Sequence, residues 1–528
     1  MTASIRQIKW SRLVACAGLS ASGGESADPS ITAIVDDSRQ AGPGACFVAT
    51  RGTQVDGHVF IEQALQAGVS AVICERPVAV PKGVACLVLP CTRGVAARLA
   101  ATFHGLDRLQ NEGRFHLVGI TGTNGKSTFC YLLKSILEAA RHRTALLGTI
   151  AYDLVGRTIE ASMTTPPPVT LMGYLAEAAN AGATYAVMEV SSHALDQGRC
   201  DGLRFDVGVF SNLTGDHLDY HVDMDNYLRA KKKLFDGLDE RATAAINMDD
   251  PAGIRMVADC RARVLRYGIL DADCPDDRGL DIYAVLRDIQ AEGSLFDLVL
   301  SGVVEPNGSG ERRCQVRTAM VGRHNVQNCL AAAAAAVALG IDLESIARGL
   351  AAIRGVPGRM QRVRPLAADG TENDTGYTVL VDYAHTDDAL QNVLRALRPL
   401  ARGRLLVLFG CGGDRDRTKR SRMARVAAEG ADLVMVTSDN PRSEDPARII
   451  EDILTGFTDS QRTKVRIEAD RRRAIHEVIG LAEPGDIVLL AGKGHENYQI
   501  IGRDKLPFDD AAVAVEAMSK RNGCVCSS

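Results

Sequence analysis

The sequence predicts an α/β protein built from several domains, and three observations predict it. Short apolar runs recur along the chain and end in polar or glycine residues, as buried parallel strands do. A strand–loop–helix unit carries "GITGTNGKST", Gly119 through Thr128, a phosphate-loop-like stretch. The texture also changes twice, after about Asp107 and again at "GVPGRMQ", where Gly355, Pro357 and Gly358 read as a linker. A chain of 528 residues, 46% hydrophobic, has room for about two to four domains.

The elements follow in order. Up to about Asp107 the chain reads as short strands and loops: "ITAIVDDSR", "GACFVAT", "AVICE" and "ACLVLP". From Phe115 the strand "FHLVGI" leads into the loop and then the helix "STFCYLLKSILEAARH". "YAVMEV", "DVGVF" and "ATAAIN" are further buried strands, with ligands expected at their carboxyl ends. An alanine-rich helix, Asn325 to Leu339, precedes the linker. Beyond it "TVLVD", "RLLVLFG", "DLVMVT" and "DIVLLAG" alternate with helical stretches, giving a second α/β domain.

Bulk properties exclude several classes. A net charge of −4 gives no electrostatic footprint for nucleic acid or a membrane surface. The fourteen cysteines are scattered, and Cys86/Cys91 and Cys524/Cys526 have no partners at zinc-ligand spacing. Reduced thiols in a cytoplasmic protein are the expectation. "LVACAG" superficially suits a lipoprotein cleavage site, but "IRQIKWSR" before it is polar where an apolar stretch is needed. The longest apolar run, Leu330 to Leu339, is mostly alanine and far short of the ~20 residues of a membrane span.

"GITGTNGKST" departs from the common phosphate loop. Counting back from Gly125 puts Ile120 where the first glycine belongs, with Gly119 and Gly122 to either side. The physical requirements are still met. Gly122, Thr123, Asn124 and Gly125 turn the backbone N–H groups toward phosphates; Lys126 reaches their oxygens; Ser127 and Thr128 open a helix and offer a hydroxyl to Mg²⁺. Glu189, Ser191, Ser192 and His193 end one strand, and Asp216, His217 and His221 follow another. Such positions suit Mg²⁺ ligands beside a triphosphate, with solvated loop residues an equal alternative.

"GTNGKST", "TTP", "MEVSSHAL", "NLTGDHLDYH", "NMDDP", "GRHNVQN", "GVPGRMQ", "DYAHTDDAL", "FGCGGDRDRTKR" and "SDNPRSEDP" occur in the order found in the Mur ligases, and by them the chain resembles that family over nearly its whole length. The family makes amide bonds at the expense of ATP in peptidoglycan precursor synthesis. The resemblance implies three domains: 1–110, an α/β domain holding UDP; 111–354, a P-loop ATPase with a parallel sheet; and 355–528, Rossmann-like, receiving the amino acid. It implies ATP as co-substrate, two Mg²⁺ ions, and an acyl phosphate formed on the carboxylate of the UDP-muramoyl substrate. Lys126 would neutralise phosphate charge, Ser127 and Glu189 would hold one metal, and His217 the other.

The resemblance assigns further residues. Lys231, in "YLRAKKKLF", matches a lysine that takes up CO₂ and holds metal as a carbamate; its distance from "HLDYH" singles it out from Lys232 and Lys233. Asn325, Asn328, Arg359, Asp382 and His385 match ATP contacts, and His324 stands where many relatives carry Phe. Ser38, Thr53, Gln54 and Val55 would hold the nucleotide, and Thr164, Thr165, Ser191, Gln197 and Arg199 the muramoyl-dipeptide.

Within the family the chain is most similar to the members that add meso-diaminopimelate to UDP-N-acetylmuramoyl-L-alanyl-D-glutamate. Diaminopimelate differs from lysine by a carboxylate on its far stereocentre, and a guanidinium suits bidentate recognition of that group. Arg442 in "SDNPR" is expected to make this choice, with Asp439, Asn440 and Pro441 shaping the loop and Arg415 a second contact. Gly492 and Glu496 in "AGKGHE" would meet the far end, Glu496 pairing its ammonium. The same loop also reads as an N-capping turn before "EDPARIIEDIL", which is compatible with binding. A folylpolyglutamate synthase shares the ATPase chemistry but lacks such an N-terminal domain and the "DNPR" loop. A non-catalytic scaffold on a decayed ligase is opposed by the intact Lys126, Glu189, His217, Asp382 and His385.

Overall fold

The computed structural model describes residues 6–20, 27–52, 55–271, 278–301, 310–365 and 375–525. The chain forms two compact units: Met1–Ala284 with Leu298–Cys314 and Gln327–Leu350, and Val285–Asp297 with Gln315–Val326 and Ala351–Ser528.

Among the described residues, the first unit holds a short antiparallel pair (Ile8–Lys9 with Ser30–Ile31), a four-stranded sheet and strands of a larger one. Strands β1 (Ala33–Val35), β2 (Ala45–Val48), β3 (Ala71–Cys74) and β4 (Ala85–Val88) pair in parallel in sequence order. Helix α1 (Val95–His104) follows, opening on Gly94 in a left-handed conformation. The larger sheet takes β5 (His116–Thr121), β6 (Thr144–Leu147), β7 (Ala151–Asp153), β8 (Thr158–Glu160), β9 (Tyr185–Glu189), β10 (Val207–Phe210), β11 (Thr243–Asn247) and β12 (Arg263–Leu270). Their order is β8-β7-β6-β9-β5-β10-β11-β12; β7 and β8 are antiparallel additions and the rest run parallel. β5 is thus flanked by β9, reached after the chain has moved to one side, and by β10 on the other. This is a topological switch point, where ligands bind at the carboxyl ends of open α/β sheets.

The buried parallel strands are the ones visible as unbroken apolar runs. Short antiparallel β7 and β8 alternate with polar residues and were not singled out. The strands Ile282–Gln290, Gly293–Leu300 and Arg312–Thr318 likewise lack an unbroken apolar run, because charged residues interrupt all three. The alanine-rich helix runs Arg323–Ala338, and Leu330 to Ala336 are almost wholly buried, which explains its lack of a polar face.

The second unit is built on a six-stranded sheet of β13 (Gln361–Val363), β14 (Thr378–Asp382), β15 (Leu405–Phe409), β16 (Leu433–Val436), β17 (Val465–Ile467) and β18 (Ile487–Ala491). The order is β13-β14-β18-β15-β16-β17, parallel except for β13. One core covers each face, the first including Leu380, Val407, Phe409 and Leu489, the second Val379, Val381, Leu406 and Leu490. A hairpin, β19 (Tyr498–Ile501) and β20 (Asp504–Pro507), follows. Among the described residues no helix is long and apolar enough to cross a membrane, and the described cysteines are free.

Candidate active site

The phosphate loop connects β5 to helix α2 (Lys126–Ala139). Its glycines are required by space as well as by conformation. Gly125 has φ 88°, and a Cβ there would come within 2.3 Å of Asn328 Oδ1. A Cβ on Gly122 would come within 1.9 Å of Ser211 Oγ. The segment after β10 clamps the loop: Thr123 N donates to Asn212 O, Asn124 N to Asn212 Oδ1, and Ser211 Oγ to Asn124 O. The variant spacing is therefore a different route to the same result, a backbone turn opening a helix. Lys126 Nζ lies over the turn, donating to Gly122 O at 2.9 Å and Thr123 O at 2.7 Å.

A continuous hydrogen-bonded path leads away from the loop. Buried Ser127 Oγ donates to Glu189 Oε1 at 2.8 Å, and Thr149 donates from N and from Oγ1 to the two Glu189 oxygens. Thr164 Oγ1 lies 3.0 Å from Thr149 Oγ1. Thr165 Oγ1 donates to Glu189 O and accepts from Ser191 N. Thr165 O in turn accepts from Arg199 Nη1, whose guanidinium also grips Gln197 Oε1. Gln197 and Arg199 line a cavity of about 800 Å³ together with Ser38, Val55, Phe60 and Tyr220. The structure thus brings Ser38 and Val55 to Gln197 and Arg199, with Thr164, Thr165 and Ser191 joining them to Glu189. Thr53 and Gln54 lie outside the described residues.

The oxygens of Ser127 and Glu189 fit a hard cation. They stand side by side at the start of α2, and Gly148 leaves them room: a Cβ there would come within 2.4 Å of Glu189 Oε1. Among the described residues no group of three or more His, Cys, Asp or Glu could by itself hold a metal. Mg²⁺ sites use one or two protein carboxylates and leave the rest to phosphates and water. His217 has φ 54° and an exposed ring, 3.5 Å from Asp216 Oδ2 and packed edge-on against His193.

Lys231, on helix α3 (Met224–Asp236), is 1% exposed, while Lys232 and Lys233 point outward to Asp236, Asp259 and Asp196. Its Nζ donates to Gly122 O at 2.8 Å and lies 4.3 Å from the centre of the Tyr227 ring. Burial, followed by the like charge of Lys126, holds its pKa well below the ordinary lysine value. Asn328 packs on Gly125, as noted, so the expected Asn328 position belongs to the phosphate loop.

In the second unit Asp382, at the end of β14, has both carboxylate oxygens taken by backbone donors, Met360 N at 2.7 Å and Ala384 N at 2.8 Å. Burial raises its pKa against the pull of Arg359 and these two donors. Asp382 thus clips the Arg359–Met360 turn to the end of β14. Arg359 lies over the Tyr383 ring, His385 Nδ1 lies 2.8 Å from Tyr383 O, and Lys419 Nζ donates to His385 O. Asn325 is buried and donates to Val321 O, and the exposed His324 lies against Gly322.

Asp439 to Arg442 follow β16. Arg442 has φ 52°, its backbone pairs with Ile500 and Gly502 on the hairpin, and its Nη1 donates to Gly413 O. Ser443 and Glu444 tie the same loop to Asp414 and to the buried Arg420. Asp445 caps helix α4 (Pro446–Leu454), as the capping reading expects. Arg415 is exposed nearby in sequence to Gly413, and Pro441 O approaches Gly413 closely. Asn440 Nδ2 donates to Glu496 Oε2, and Asp439 Oδ2 lies beside Gly492.

Four contributors had no part in the sequence reading. Thr149 follows an unremarked strand, Tyr220 and Tyr227 lie in quoted or adjacent stretches without a polar pattern of their own, and Lys493 sits unnoticed inside "AGKGHE".

Comparison with known proteins gives this geometry its relatives. Three family descriptions match: "Mur ligase family, catalytic domain" over 30–103, "Mur ligase middle domain" over 120–336, and "Mur ligase, glutamate ligase domain" over 358–494. A UDP-N-acetylmuramoyl-L-alanyl-D-glutamate–2,6-diaminopimelate ligase of Gloeobacter violaceus is 44% identical over 94% of this chain and 95% of its own. The ligase of that name from Geobacillus thermodenitrificans is 41% identical over 94% and 96%. A solved structure of a ligase of the same name matches with TM-score 0.66 at 33% identity, over 93% of this chain and 95% of that one. A D-alanyl-D-alanyl-adding ligase from Acinetobacter baumannii, at 20% identity and TM-score 0.57, shares the fold. With family descriptions falling in all three segments and relatives this similar over nearly the full length, the chain belongs to the Mur ligase family.

Proposed function

We infer that this chain is an ATP-dependent amide ligase that adds meso-2,6-diaminopimelate to UDP-N-acetylmuramoyl-L-alanyl-D-glutamate in peptidoglycan precursor synthesis. The geometry that carries the reading is the path from Ser127 through Glu189 and Thr165 to Arg199, which joins a phosphate loop to a cavity of nucleotide size. The near-full-length relatives supply the substrates' names. The test is ADP release that requires both the UDP-muramoyl-dipeptide and diaminopimelate. Release supported equally by a folate acceptor and glutamate would overturn it.

An amide does not form from a carboxylate and an amine in water unless the carboxylate is activated. ATP phosphorylates the D-glutamyl carboxylate, the amine attacks the acyl phosphate, and phosphate leaves from a tetrahedral intermediate. The loop N–H groups and Lys126 orient the triphosphate and offset its charge. Ser127 and Glu189 would hold one Mg²⁺ ion, and His217 with carbamylated Lys231 a second; bound there, the ions neutralise developing phosphate charge. A neutral Lys231 amine adds CO₂ and releases one proton, which leaves a carbamate anion where a buried neutral amine stood. Gln197 and Arg199 hold the dipeptide, and Ser38 and Val55 the nucleotide. We assign 1–110, 111–354 and 355–528 as the UDP-binding, ATP-binding and amino-acid-binding domains. The free cysteines support a cytoplasmic location.

Arg442 is assigned the far carboxylate of diaminopimelate. Losing a hydrogen bond to a charged group costs about 1.5–3 kcal/mol, so Arg442→Ala is expected to lower kcat/KM for diaminopimelate roughly 10- to 150-fold. Lysine lacks that carboxylate and loses little, so the preference narrows. Steady-state kinetics with both amino acids check this; an equal loss for both would make the loop structural.

A further inference from the structure

The amino-acid loop contains a cation that the reading above leaves without a role. Lys493 has no exposed surface, although it lies in a short loop after β18. Its Nζ is 3.2 Å from Glu496 Oε2, 3.3 Å from Asn440 Oδ1 and 3.6 Å from Asp439 Oδ1, and it lies 5.6 Å from the centre of the Tyr498 ring. Asn440 completes the knot: its Nδ2 donates to the same Glu496 oxygen, while its Oδ1 also accepts from Ile500 N. One buried ammonium therefore ties Glu496, assigned to the ammonium of the incoming amino acid, to Asn440 and Asp439 of the loop.

Charge counting gives the arrangement its consequence. Asp439 and Glu496 alone are two like charges on either side of Lys493. With Lys493 between them the trio carries one net negative charge. Asp439 Oδ1 is buried and makes no hydrogen bond, so an acceptor is left over. Both features suit one ammonium group of the ligand.

We propose that Lys493 is a positioning residue for the added amino acid: by holding Asp439, Asn440 and Glu496 it presents one net negative charge to a single ligand ammonium. The proposal rests on the reading of this loop as the diaminopimelate site. The partners of its Nζ, Asp439, Asn440 and Glu496, all belong to the amino-acid loop, so its effect is expected on that substrate.

The experiment is steady-state ligation by the full-length protein with Lys493→Met, Lys493→Gln and Lys493→Arg, alongside Asp439→Asn and Glu496→Gln. Lys493→Met and Lys493→Gln are expected to raise KM for diaminopimelate roughly tenfold or more, as loss of a charged hydrogen bond does, while KM for ATP and for the UDP-muramoyl-dipeptide stays within about twofold. Lys493→Arg, which keeps the charge, is expected to recover most of the loss. If Asp439→Asn and Glu496→Gln raise KM for diaminopimelate but the two neutral Lys493 variants do not, the proposal is wrong and the site reading stands. If none of these variants changes that KM, the site reading itself fails. Equal rises for all three substrates, or failure of both neutral variants to fold, would assign Lys493 to the scaffold and overturn the proposal.

Discussion

Lys126→Ala is expected to cut ligation by roughly 10²–10³-fold in kcat while leaving the fold intact, the scale seen when one preorganised charge-stabilising group is lost. Lys126 starts α2 and is partly exposed, and its ammonium rests on the carbonyls of Gly122 and Thr123. Gly122 O keeps the bond from Lys231, and the loop backbone stays pinned by Ser211 and Asn212. A surface-type truncation of this kind changes stability by about 0.5 kcal/mol or less. The loss therefore falls on the reaction, where a fixed cation beside the transferred phosphoryl group has no substitute. ADP release and thermal unfolding, measured on the same preparation, check both halves. Turnover near the wild-type rate would remove Lys126 from the phosphate site.

The parts legible in the sequence were those whose residues act through local geometry. Gly122, Gly125, Lys126 and Ser127 form one turn and one helix start, so the phosphate loop stands out even with its first glycine displaced. The strands beside it were visible because burial on both faces leaves no polar alternation. Asp445 was visible as a cap for the same local reason. What stayed hidden depends on partners far away in the chain. Thr149 matters only because β6 lies next to β9 and brings it to Glu189. Asp382 likewise receives a bond from Met360 N, more than twenty positions earlier, which its own sequence context does not announce. Lys493 has no periodicity to mark it; its meaning comes from Asn440, some fifty positions earlier.

Lys231 was chosen from three adjacent lysines by resemblance, and the structure separates them by burial. Lys232 and Lys233 make surface ion pairs with Asp236, Asp259 and Asp196, while Lys231 is enclosed against Gly122 O and the Tyr227 ring. Lys231→Ala is expected to lose ligation by roughly 10²-fold or more, because the anion its carbamate would provide is gone. Short carboxylates such as formate or acetate should restore part of the activity by occupying the vacated space. A stability measurement separates this site from an ordinary core lysine. The folded-state pKa of Lys231 is lowered, by burial first and Lys126 second. Between that lowered value and the ordinary lysine value of about 10.4, the unfolded chain binds the extra proton. Within this window the residue destabilises the fold, and the penalty disappears as pH rises to the upper limit. In CO₂-free buffer the wild type should therefore gain stability with rising pH relative to Lys231→Met, which has no amine to protonate. At pH 7 the Met variant should unfold at the same temperature or higher, although it ligates poorly. Parallel stability curves across pH 7–10 would mean that Lys231 stays charged in the fold. Full ligation by Lys231→Ala without any additive would exclude it from the reaction.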